Sequence, residues 1–359
     1  MIFRYFLKTV FTISVASIAT TCFARDFELP NGWNNECVGR MQISMPGTFE
    51  VAAKSAQSFG KYFGEVAEQS QFEFIDGQIA GYSKGTDITH KLIQNQIQNI
   101  FDMVKKRVES TRNLVSKEKE NPNNFEILQT GQKTGIAYRY KNGYVLVLLM
   151  NGHLIKKIGG DKNKEWESVE KEFENDINNI KYRDTGEIPT DSGICMPYFF
   201  KADSGNEPRW IAMTYRLKEH PDITIMLKDE KAEPIPSYVN RSKITPAAKI
   251  DFFWRQRYQN TIEAEYLWSF MRPIKLANVW GKAAAVKMTR RGGETDFGYY
   301  AVANGDPDAK EDTPNLELYV IQDSKNAKSK GIEPMNKEDF LELAQKIAAS
   351  VRHRPITTQ

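Results

Sequence analysis

Three groups of residues could do chemistry. Gly81-Tyr82-Ser83-Lys84-Gly85 matches the G-x-S-x-G nucleophile elbow, in which a serine on a sharp strand-to-helix turn is raised for attack on an acyl group. Such a serine needs a base, and the chain offers four histidines, His90, His153, His220 and His353. The third group is Cys37 and Cys195. The elbow reading is weak on its own residues. With 23 glycines in 359 residues the pattern arises easily by chance. The strand expected before it, residues 72–80, carries Glu73, Asp76 and Gln78, unlike the continuous apolar run of a buried parallel strand. No histidine sits in a recognisable catalytic context. The simpler reading is a glycine-rich turn into a helix beginning near Thr86, with Ser83 or Thr86 as its cap. No metal site is expected, because there is no Cys-x-x-Cys or His-x-x-x-His, and His90, placed on that helix, has no second ligand at i+4. No glycine-rich phosphate loop is present either. No catalytic residue and no cofactor are therefore assigned, and the chain is read as a non-enzyme.

The elements that would position these residues begin after an export signal. Arg4 and Lys8 precede a short apolar stretch, and Cys22-Phe23-Ala24 ends in the small-x-small pattern of a cleavage site. Residues 1–24 thus read as a signal peptide cut after Ala24, giving a periplasmic protein. The stretch is too short to span a bilayer, and no other long apolar run follows, so no stable membrane insertion is expected. A lipoprotein anchored through Cys22 is the alternative, with Ala19-Thr20-Thr21 making a poor lipobox. Without the leader the chain holds 47 basic and 46 acidic residues. That balance argues against holding nucleic acid by bulk charge. The mean hydropathy of −0.54 is that of a water-facing globular protein.

The remaining 335 residues exceed what one core usually holds, and the sequence reads as one design written twice. The first half opens at Cys37-Val38-Gly39-Arg40, with Met41, Ile43 and Met45 alternating as in a strand. A long helix follows, its apolar positions Ile93, Ile97, Ile100, Val104 and Val108 spaced by three and four. Strands are expected over 125–130, 135–140 and 144–150, then a helix over 164–180. The second half opens at Cys195 with 196–200, then strands 210–217 and 223–228, a helix 246–258, and strands 281–290, 297–303 and 316–321. Asn336 caps a last helix with Phe340, Leu343, Ala344, Ile347 and Val351 on one face. Hairpin-linked strands favour an α+β fold of two similar domains, 25–185 and 186–359, each an antiparallel sheet with helices packed on one face. The crowded aromatics Phe252-Phe253-Trp254 and Tyr266-Leu267-Trp268-Ser269-Phe270 read mostly as core, and any left exposed would anchor a protein partner.

Cys37-Val38-Gly39-Arg40 at the head of the first half, and Glu187-Ile188-Pro189-Thr190-Asp191-Ser192-Gly193-Ile194-Cys195 at the head of the second, resemble the periplasmic immunity proteins paired with type VI secretion phospholipase toxins. The family is the lipase-immunity class four, and the resemblance covers about residues 31–353. It implies a protein that binds and inhibits a cognate secreted phospholipase toxin, one to one, with both domains acting as a clasp. It carries over no catalytic residue. Serine hydrolysis through Ser83 and a structural envelope lipoprotein stand as the alternatives. The two cysteines either meet in a disulfide, if the halves pack about an axis through their opening segments, or remain separate buried thiols, one per half.

Overall fold

The computed structural model describes residues 28–63, 71–80, 86–117, 125–161, 163–257 and 261–357. Residues 1–24, read above as a signal peptide, and the segment 81–85, with Ser83, lie outside them.

The chain opens with a hairpin, β1 (Trp33–Val38) and β2 (Met41–Pro46). Then come β3 (Phe49–Val51), a short α1 (Ala56–Gly60), β4 (Asp87–Ile88) and the long α2 (Gln94–Lys117). Four strands follow, β5 (Phe125–Leu128), β6 (Thr134–Tyr140), β7 (Gly143–Met150) and β8 (His153–Gly160). α3 (Trp166–Asn179) runs directly into β9 (Ile180–Tyr182). A second hairpin, β10 (Gly193–Met196) and β11 (Phe199–Ala202), precedes β12 (Trp210–Leu217), β13 (Ile223–Glu230) and α4 (Pro246–Arg257). The rest is β14 (Thr261–Tyr266), β15 (Arg272–Leu276), β16 (Val279–Arg290), β17 (Thr295–Ala303), β18 (Asn315–Gln322), α5 (Ser324–Ser329), α6 (Lys337–Ser350) and β19 (Arg352–His353).

The fold is α+β, and every strand pairing between named strands is antiparallel. The first half contributes the sheet β4-β8-β7-β6-β5, and the second the sheet β14-β16-β17-β18-β13-β12-β3, with β15 also on β16. Helices cover both faces of each sheet, where the sequence reading had placed them on one. In β7 the even positions Tyr144, Leu146 and Leu148 join the core shared with α3, while Val145 and Val147 face α2. In β17 Tyr299 and Ala301 lie on the α6 side, while Tyr300 and Val302 lie on the α4 side. Runs apolar at every position, such as Tyr144-Val145-Leu146-Val147-Leu148, need cover on both sides.

The halves interlock. β9 follows the closing helix of the first half and pairs with β11 of the second. β19 follows the closing helix of the second half and pairs with β2 of the first. β3 extends the larger sheet beyond β12. One apolar core runs through both halves. Where the hairpins meet, Cys37 and Cys195 are joined by a disulfide across a sequence separation of 158. The Gly39 and Cys195 backbones exchange two hydrogen bonds, 3.0 and 2.8 Å. Gly39 has φ +58°, and a side chain there would run into the Asp229 carboxylate.

Two expectations fail locally. The long helix begins at Gln94, because the residues before it serve the edge of the smaller sheet: Asp87–Ile88 pair with β8, and the Thr89 and Leu92 N–H groups donate to Leu154 and Gly152. Thr86 therefore caps no helix, and His90 lies off α2. Residues 72–80 do not form a strand. They fold back on themselves at Gly77 (φ +83°), with the Phe74 N–H donating to the Gln78 carbonyl.

Replacing both Cys37 and Cys195 by Ser is expected to lower unfolding free energy by about 2–5 kcal/mol, from the loop-entropy argument for so long a loop. Gly39→Ala is expected to cost at least about 2 kcal/mol, combining a disfavoured φ with a buried clash. Urea titration under non-reducing conditions measures both, and midpoints unchanged from the parent would contradict them.

Candidate protein-binding surface

The junction between the halves is wired by buried charge. Glu36 on β1 pairs with Arg183 at 2.7 Å, both nearly inaccessible, and the same guanidinium donates to the Met196 carbonyl at 3.1 Å. Arg40, in the first turn, holds both oxygens of Asp203 at 2.8 and 2.9 Å. Arg209 holds Asp229 at 2.7 Å and Asp312 at 2.6 Å, while Asp229 also accepts from the Arg40 N–H at 2.7 Å. Arg216 on β12 reaches across to Glu50 and to Asp76 at 2.9 Å. Burial would raise the Asp76 carboxyl, but hydrogen bonds from Arg216 and Lys330 hold it well below the usual carboxylate range. Arg354 forms no ion pair among the described residues and donates to the carbonyls of Pro189 and Gly193. Burial, with Arg40 and Arg183 nearby, pushes it down to about 10. Losing one member of such a pair leaves the other charge buried and uncompensated, which costs several kcal/mol. The angle between the halves is thus held by pairs that resist partial breaking.

Around this junction lie three cavities. A cleft of about 310 Å³ opens between the halves, with Asp87, Lys156, Lys157 and Ile158 on one wall and Pro208, Arg209 and Trp210 on the other. Asp87 sits between the ammonium groups of Lys54 and Lys156. These outweigh burial and lower its carboxyl. Lys156 also lies 3.2 Å from the centre of the Tyr62 ring. Ile158 and Trp210 stand at the mouth, 51 % and 44 % exposed. A groove of about 420 Å³ runs between α2 and the smaller sheet, lined by Tyr62, Arg107, Leu114, Tyr138, Tyr140 and again Ile158. Its counterpart of about 450 Å³ lies between α4 and the larger sheet, lined by Lys249, Phe252, Phe253, Arg257, Glu317 and Tyr319. Ile158 belongs to both the cleft and the first groove. Trp210 lies under Lys228, 5.7 Å from ring centre to nitrogen, and Lys228 pairs at 3.1 Å with Glu317 in the second groove.

The residues singled out in the sequence fall elsewhere. His153 stacks on Tyr198 with ring centres 4.0 Å apart, and its Nδ1 meets the Thr89 carbonyl at 2.9 Å. His90 lies beside them, its Nε2 at 2.7 Å from the Glu73 carbonyl. His220 flanks Asp222, and His353 is in β19. No cluster that could hold a metal ion occurs among the described residues, nor does any helix long and apolar enough to cross a membrane. Of the aromatic run on α4, Trp254 is fully buried over Gly298 while Phe252 is exposed. Phe270, Trp280 and Tyr266 are also exposed. Sequence reasoning missed Ile158 and Trp210, because β8 was not anticipated and Trp210 reads as an ordinary strand residue.

Residues 187–356 match the family model described as Tle cognate immunity protein 4 C-terminal domain. In fold, the chain is similar to a structure described as the crystal structure of a Tle4-Tli4 complex, with TM-score 0.57 and 16 % identity, covering 91 % of this chain and 99 % of that one. It is similar as well to the immunity protein TplEi of the T6SS from Pseudomonas aeruginosa. The apo form gives TM-score 0.55 and 17 % identity, covering 91 % of this chain and 98 % of that one. The form complexed with an "L" peptide gives TM-score 0.52 and 16 % identity, covering 90 % and 99 %. No curated protein matches the chain. The resemblance read from the two opening segments therefore stands, by family match in the second half and by fold over nearly the whole chain.

His90 and His153 fix a pH dependence for the junction. Burial is the chief cause that lowers both imidazoles below their ordinary value of 6.5. Between that value and the lowered ones the unfolded chain binds more protons than the folded one, so stability falls as pH drops through that window. The lowered carboxyls of Asp87 and Asp76 act in the same sense at lower pH. Urea midpoints should be lower at pH 5.5 than at pH 7.5, and His153→Gln should shrink the difference. Equal midpoints at the two values would contradict the assignment.

Proposed function

We propose that this chain is the immunity protein of a type VI secreted lipase, binding and inhibiting its cognate phospholipase in the periplasm by a two-domain clasp. The match of residues 187–356 to an immunity-protein domain carries the reading. The fold shared with Tli4, from the Tle4-Tli4 complex, and with TplEi supports it over the rest of the chain. The two arms are residues 25–185 and 186–359. The cleft and the two grooves, each bordered by exposed apolar side chains, are the surface that takes the enzyme. Immunity by occupation needs no chemistry from this chain. Mature protein begins at Arg25, after removal of residues 1–24 on export.

Because β3, β9 and β19 each complete a sheet of the other half, the arms are tested by substitution in the whole chain. Binding is measured to the secreted lipase whose reading frame adjoins this one. Ile158→Glu in the first arm and Phe252→Glu in the second should each weaken it about tenfold or more, as expected for buried apolar anchors. If only one arm mattered, the clasp would be wrong; if the wild type formed no complex, the immunity reading would fall with it. The purified protein should hydrolyse no ester or phospholipid. Turnover abolished by Ser83→Ala would replace this reading with the hydrolase. Mass spectrometry of the mature protein should show Arg25 first, and an acylated Cys22 would relocate it to a lipid anchor.

A further inference from the structure

Each of the three cavities carries one cation with no ion-pair partner among the described residues. Arg107 lines the α2 groove, Lys157 the cleft and Arg257 the α4 groove. Arg257 rests only on ring faces, 5.2 Å from the centre of Phe253 and 5.5 Å from that of Tyr319. The other lining cations are neutralised within the protein. Lys156 has Asp87, Arg209 has Asp229 and Asp312, and Lys249 has Glu317 at 3.9 Å. The two lining carboxylates are committed as well, Asp87 to Lys54 and Lys156 and Glu317 to Lys228. What is left over along the whole surface is positive in every cavity, on a chain whose overall charge is close to balanced.

From this charge pattern we infer that the lipase segment seated on this surface is acidic, presenting carboxylates beside apolar side chains so that one meets each of Arg107, Lys157 and Arg257. The inference rests on the immunity reading and deepens it by stating the chemistry of the partner's face. The apolar walls, with Tyr62 and Tyr138 in one groove and Phe252 and Phe253 in the other, take the side chains between the carboxylates. Arg257, already laid on two aromatic faces, gives up little solvation when a carboxylate arrives.

Charge pairs at the rim of an interface act mainly on the association rate and on its salt dependence. The experiment measures association of the full-length protein with the lipase from the adjoining reading frame, by surface plasmon resonance at low and high salt. Arg107→Glu, Lys157→Glu and Arg257→Glu together should slow association about ten- to a hundredfold at low salt. The variant should also lose most of the salt dependence that the wild type shows. The charge-preserving set Arg107→Lys, Lys157→Arg and Arg257→Lys should retain both. If the wild type binds and the Glu variant associates equally fast with the same salt dependence, the acidic partner face is wrong while the immunity reading survives. If the wild type does not bind, both fall. A Glu variant weakened equally at all salt concentrations would indicate a change of shape rather than of charge, and would also overturn the inference.

Discussion

The junction is built on one close approach between the two opening hairpins, where the Gly39 backbone lies against Cys195 on one side and the Asp229 carboxylate on the other. Only a residue without a side chain can stand there, and with Gly39 in place several other interactions fall into reach. The Arg40 N–H meets Asp229, the Arg40 side chain meets Asp203, and Asp229 in turn orients Arg209. Arg183, threaded beneath, ties Glu36 to the carbonyls of the second hairpin. Move the turns apart by one methyl group and this set of buried charges loses its geometry together. The disulfide between Cys37 and Cys195 fastens the point on which they converge.

That arrangement makes the surface between the halves rigid without filling it. α3 covers the inner face of the smaller sheet and α6 that of the larger. On the outer faces α2 and α4 cover only part of the width, so each leaves a groove along its flank. The cleft lies where β8 and the start of β12 approach at the junction, and it shares Ile158 with the groove along α2. A partner spanning this surface finds its shape already set, which lowers the ordering cost of association.

Much of the architecture was legible in the sequence. The opening hairpins declared themselves through cysteines at matching places, and α3, α4 and α6 through caps and apolar stripes, as with Asn336 accepting from Asp339 at the head of α6. What escaped is instructive. β8 breaks the strand pattern with Lys156-Lys157, of which Lys156 is stabilised by Asp87 and the Tyr62 ring, partners brought by distant chain. The stretch before α2 is helical in local pattern, yet its N–H groups are claimed by the β7–β8 hairpin. The exchange of β9, β19 and β3 leaves no local signal, because a strand of two or three residues is defined only by what it pairs with. The candidate surface escaped for the same reason. Ile158 and Trp210 are ordinary in sequence and become neighbours only once the halves are locked.

The strand exchange also bears on the order in which the protein can be made. The first hairpin waits for its third strand until residues 352–353 arrive, and the Ser44 N–H for the hydroxyl of Ser350, 306 positions later. No nascent chain can therefore finish its first sheet. A chain with this wiring stays incompletely structured until its last segment is available, and closure then follows as a single late event.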